Sequence, residues 1–134
     1  MGHAQWIQVR VQAENMTIKI KSAGLNSGKF HKKDDKDSSL STNDINSIEI
    51  KPGKEDFISS CGSSNAWNGT QGFFDVRDGD FKVGRFEWDC PWDNSDNTFR
   101  MVDITDNKSY SLSYSGGNRS SGAIGNVIIV CIKN

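Results

Sequence analysis

Residues 6–11, WIQVRV, alternate strictly between apolar and polar side chains, so Ile7, Val9 and Val11 share one face and Trp6, Gln8 and Arg10 the other. A period of two marks a strand with one buried face. It recurs in TIKIK (17–21) and SIEIK (47–51). Further short runs, DFISSC, GFFDV, FKVGRFEWDC, TFRMVDI, YSLSY and NVIIVCI, are rich in β-branched and aromatic residues and are separated by clusters of Gly, Asn, Asp and Ser. Helical periodicity is confined to one short turn after Ser41 and Thr42. About nine or ten strands at this spacing, without intervening helices, predict an all-β fold of antiparallel pairs, a two-sheet β-sandwich or a barrel. The Asp78-Gly79 pair predicts a tight hairpin turn, because both residues tolerate positive φ. Neither a repeat nor a linker interrupts the pattern, so one domain is expected over residues 1–134.

Composition narrows the function classes. A net charge of -1 gives no global basic field, which argues against nucleic acid as a partner. Cys61, Cys90 and Cys131 have no metal-ligand spacing and are odd in number, which predicts three buried free thiols rather than a disulfide framework. The N-terminus runs straight into an alternating strand without an apolar signal segment, so synthesis in the cytoplasm followed by release is expected. The four Asn-x-Ser/Thr sequons carry no weight in that setting.

Histidine occurs only at 3 and 31, and no serine sits in a G-x-S-x-G elbow, so an enzyme is not expected and no catalytic residue is assigned. His31 reads as a surface loop residue beside Lys32 and Lys33. KKDDKD (32–37) fails as a calcium loop: counting from Asp35, the sixth position is Leu40 and the twelfth is Asn46, where Gly and Glu are required. It reads as a solvated, charge-balanced loop, and no metal is expected. GGNRSSGAIG (116–125) lacks the Lys-Ser/Thr ending of a phosphate loop and reads as a flexible connection into the last strand.

The tryptophans carry the most information. In RFEWDC the alternation turns Phe86, Trp88 and Cys90 to one face, so Trp88 points into the core, and a core plug is one of its two readings. Trp92 follows Pro91, which ends the ladder, and is placed on a loop; Trp67 sits among Ser, Asn and Gly in SSNAWNGT. Two loop indoles, with Trp6 near them, form a patch suited to binding. Its ligand can be a lipid headgroup, a glycan or another protein.

The chain also resembles the aegerolysins, small all-β proteins of fungi and bacteria. The resemblance runs through AQW (4–6), KIK (19–21), GK (28–29), DKD (35–37), the pattern CG.S.A..GT.G.FD (61–75), WDCPW (88–92), NT (97–98), YSG (114–116) and SGA.G (121–125). It covers essentially the whole chain, and WDCPW together with the Cys61 block is specific. The resemblance implies a β-sandwich that binds sphingolipid membranes, either sphingomyelin with cholesterol or ceramide phosphoethanolamine. It also implies the targeting role in a two-component haemolytic or insecticidal cytolysin with a larger MACPF-type pore-forming partner, acting at the target cell membrane. Trp6, Trp88 and Trp92 sit where the family carries tryptophans. Trp67 and Asn68 complete the expected lipid site. This chain departs from the family at Ser27, where members place a tryptophan, and at Asn68, where sphingomyelin binders place a glutamate. A third departure is WDNSDN (92–97), which lacks the family's basic residue. A carbohydrate-binding module using the same indoles is the alternative reading.

Overall fold

The computed structural model describes residues 4–63, 67–93 and 95–134. Eleven strands and one helical turn follow in order: β1 (Trp6–Glu14), β2 (Ile18–Ser27), β3 (Lys29–Lys32), β4 (Asp35–Leu40), α1 (Thr42–Asn46), β5 (Glu49–Ile50), β6 (Glu55–Cys61), β7 (Thr70–Asp78), β8 (Phe81–Cys90), β9 (Thr98–Val102), β10 (Tyr110–Gly116) and β11 (Gly125–Lys133). They form two packed sheets, one six-stranded in the order β10-β11-β1-β6-β3-β4 and one five-stranded in the order β5-β2-β7-β8-β9. The expected all-β sandwich is thus the observed fold.

The alternation decides which side chains lie between the sheets. Ile7, Val9 and Val11 of β1, Ile18 and Ile20 of β2, Phe74 and Val76 of β7, Phe86 of β8, and Val127 and Ile129 of β11 are fully buried. Burial of such apolar area is the main driving force for the fold. The three cysteines are free and buried, as expected. Helix α1 begins where the sequence placed it: Ser41 caps it, its hydroxyl accepting from Asp44 N while the Asp44 carboxylate accepts from Ser41 N.

Five expectations need correction. The pairing is not wholly antiparallel, because β1 runs parallel to β11, with Ile7 opposite Gly125 and Glu14 opposite Ile132. Residues 32–37 are no loop: they span the β3–β4 hairpin, turned at Asp34 with φ 57°. His31 is therefore buried on β3 instead of lying on the surface, with Nδ1 2.7 Å from the carbonyl of Lys32. The β7–β8 turn is centred one residue later than expected, on Gly79 and Asp80, since Asp78 pairs with Phe81 and only Gly79 has positive φ. Finally, the 117–124 connection is tied down. Asn118 donates from Nδ2 to the carbonyls of Ser121 and Ala123, and Asn97 donates to those of Asn118 and Gly122.

Candidate functional site

The strand directions gather five connections at one end of the sandwich. Strands β1, β3, β7, β9 and β11 start there, and β2, β4, β6, β8 and β10 end there. Thr70 at the start of β7 pairs with Cys90 at the end of β8, so the segment before β7 and the segment after β8 leave the sheet side by side. Trp67 lies three residues before Thr70 and Trp92 two after Cys90. Their rings consequently meet edge to face, with centroids 4.7 Å apart and planes at 78°. Both stay in water's reach, Trp67 65% exposed and Trp92 37%. Gly69 permits this approach, because a Cβ there would collide with the Cys90 carbonyl. Gln5 Nε2 donates to the Trp92 carbonyl at 3.3 Å and holds the second segment down.

The other expected site residues take different parts. Trp88 is only 3% exposed, and its Nε1 donates to Thr70 Oγ1 at 3.0 Å. Thr70 Oγ1 lies 2.6 Å from Ser60 Oγ, which donates to the Lys29 carbonyl at 2.8 Å. This chain of hydrogen bonds crosses from the five-stranded to the six-stranded sheet beneath the indole pair. Of its two readings, Trp88 takes the core plug by burial, while its ring also lines the groove along β7, β8 and β9. Asn68 uses its Oδ1 to accept from Ser63 N at 3.1 Å, which closes the loop that presents Trp67. Trp6 is half-buried with Lys36 Nζ 5.0 Å from its ring centroid, and it lines a separate groove of about 450 Å³ with Gln8 and His31. The structure thus brings Trp67 and Trp92 into contact and seats Trp6 in a different groove.

Beside the indole end, a groove of about 610 Å³ lies along β7, β8 and β9 and the 117–124 connection, lined by Phe73, Glu87, Asp89, Trp88, Tyr114 and Arg119. Glu87 is held by Arg100 Nε at 2.9 Å. Burial, and then the neighbouring Asp93 charge, raise the Asp89 carboxyl above its ordinary range. A carboxylate there would gain from a ligand cation. Tyr114 and Arg119 were missed altogether, because they come from the other sheet and a distant connection. Among the described residues no group of His, Cys, Asp and Glu has metal-binding geometry, and no helix is long and apolar enough to cross a membrane.

The two-sheet sandwich collects its exposed indoles, Trp67 and Trp92, on one loop end. The chain belongs to the aegerolysin family, whose model matches residues 4–134. It is 38% identical over 94% of its length to Asp-hemolysin of Aspergillus fumigatus (strain ATCC MYA-4609 / CBS 101355 / FGSC A1100 / Af293), covering 91% of that protein. It is 35% identical over 99% of its length to Ostreolysin A6 of Pleurotus ostreatus, covering 98% of it. The fold superposes with a TM-score of 0.92 on the crystal structure of IP-1A from Alcaligenes faecalis, at 37% identity, with 99% of this chain and 94% of that one covered.

Proposed function

We propose that this protein docks on membranes containing sphingolipid, either sphingomyelin with cholesterol or ceramide phosphoethanolamine, through the end that carries Trp67 and Trp92. In this reading it performs no chemistry. It acts at the membrane of a target cell and recruits a MACPF-type pore-forming partner, whose search then becomes two-dimensional and whose local concentration rises. The observation that supports it most directly is the exposed indole pair. Indoles favour the boundary between acyl chains and headgroups, where the ring is in the apolar layer and the N–H stays among polar groups. The haemolysin and ostreolysin names of two relatives point the same way. With Ser27 in place of a tryptophan and Asn68 in place of a glutamate, Trp67 supplies the second ring of the patch.

Co-sedimentation with liposomes tests it. The protein is expected to pellet with vesicles containing sphingomyelin and cholesterol or ceramide phosphoethanolamine and to stay in the supernatant with phosphatidylcholine alone. Failure to pellet with any sphingolipid mixture refutes the reading. The carbohydrate alternative rests on the 610 Å³ groove, where carboxylates stand beside aromatic rings. It predicts that soluble glycans compete and that lipid composition is irrelevant.

A further inference from the structure

The outer face of the five-stranded sheet holds a concentration of positive charge that the indole end does not use. Two cross-strand rows lie next to each other there. In one, Lys19 of β2 stands opposite Arg77 of β7, which stands opposite Lys82 of β8; in the other, Lys21 stands opposite Asp75, which stands opposite Arg85. Like charges directly opposed across strands repel, and here three are in register. Asp75, almost fully buried, is the one acid in the two rows. It takes Arg85 Nε at 2.8 Å, Arg77 at 3.5 Å and Lys82 at 3.8 Å, so a single carboxylate is shared among three cations. Asp103 meets Lys82 from the edge at 3.1 Å, and Glu49 beside Lys19 is already held by Lys51 at 2.6 Å. Five cations therefore exceed their local acids in a chain whose net charge is -1.

We infer that this face binds a phosphate-type oxyanion between Lys19, Arg77 and Lys82. Its negative oxygens would relieve the repulsion within the row, the part-exposed Arg77 guanidinium being suited to oxyanion geometry. Counting along β8 at about 3.4 Å per residue, Arg85 lies about 17 Å and Lys82 about 27 Å from Cys90 at the indole end. That exceeds the screening length of about 8 Å at physiological salt, so the site acts independently of whatever the indoles grip.

The test titrates inorganic pyrophosphate into the whole protein at ionic strength held constant with NaCl, followed by calorimetry and by thermal melting. The wild type is expected to bind saturably with a Kd on the order of 1 mM and to melt at a higher temperature when bound. Lys19→Gln, on a half-exposed side chain outside the Asp75 cluster, is expected to weaken binding about three- to fivefold with an unchanged unliganded melting temperature. Arg77→Gln is expected to weaken it at least tenfold; if that variant does not fold, Lys19→Gln decides. A parallel arm measures pelleting with phosphatidylcholine vesicles with and without phosphatidic acid. Lys19-dependent binding in the first arm alone supports a soluble phosphate source, and in the vesicle arm a lipid-borne one. Binding equal in wild type and Lys19→Gln in both arms, or absent from both, overturns the inference. Trp67→Ala is expected to leave the pyrophosphate titration unchanged, which separates this site from the lipid reading.

Discussion

Replacing each exposed indole by alanine should weaken membrane docking unequally, and the exposures set the order. Taking about 250 Å² for a tryptophan side chain, Trp67 at 65% exposed offers about 160 Å² for burial and Trp92 at 37% about 90 Å². At about 25 cal/mol per Å² full burial gives upper bounds of about 4 and 2.3 kcal/mol. A ring that enters the interface with about half its free area yields about 2 and 1.2 kcal/mol, or roughly 30-fold and 7-fold in partition constant. Trp67→Ala should therefore be the more damaging change. Because the rings touch at 4.7 Å, the double variant should depart from additivity. Vesicle titration read by tryptophan emission and by pelleting measures all three variants, with circular dichroism to confirm that each is folded. A larger loss for Trp92→Ala than for Trp67→Ala, or full binding by both, refutes the argument that exposed ring area drives docking.

Trp88→Phe should cost about 2 to 4 kcal/mol in urea unfolding, through lost volume and the unpaired Thr70 hydroxyl, yet leave vesicle binding per folded molecule unchanged. Tyr110 donates to Asp78 at 2.6 Å, which pushes the phenol up to about 12 and, with Lys133, holds Asp78 below its ordinary 3.8. The phenol's share of stability is complete below about pH 10 and lost as pH rises toward 12, while the carboxylate's is present above 3.8 and lost as pH falls below it. Tyr110→Phe should thus melt lower at pH 7, with the gap to wild type closing above pH 10; burial also pushes Cys131 up to about 11, so some alkaline loss remains in the variant. A gap constant from pH 7 to 12 counts against the assignment. All three thiols should ignore a soluble disulfide reagent in the native protein and react together on unfolding, because each is buried and burial raises its pKa.

The sandwich was legible wherever one strand face is apolar, as in WIQVRV or TIKIK, and the Ser41 cap was legible from its own residues. The β3–β4 hairpin was not. Asp35–Leu40 is DKDSSL, a polar strand at the sheet edge, and its pairing with β3 leaves no alternation of hydrophobicity to read. The same oversight hid His31, whose burial depends on β6, through Ser59, and on β4, through Ser39, on either side. The turn after β7 lies one residue late because Asp78 is still paired in the ladder, with Phe81, which leaves Gly79 and Asp80 as the central pair. At the site, Pro91 gave away the loop position of Trp92, and polar neighbours that of Trp67. That the two rings touch follows from the Thr70–Cys90 pairing, which no local pattern encodes. Trp88 lies inside the alternating run, and there the periodicity outweighed its membership in the aromatic motif.

The parallel contact of β1 with β11 has a kinetic side. Strand β1 sits between β11 and β6, and its partners Gln8 and Asn126 are 118 residues apart. A segment made early must wait with one edge unpaired until a segment made late arrives, and closing so long a loop delays the reward of the contacts it brings. Folding is then expected to be limited by this one late closure, and chains that have not reached it offer the bare side of β1 to other molecules.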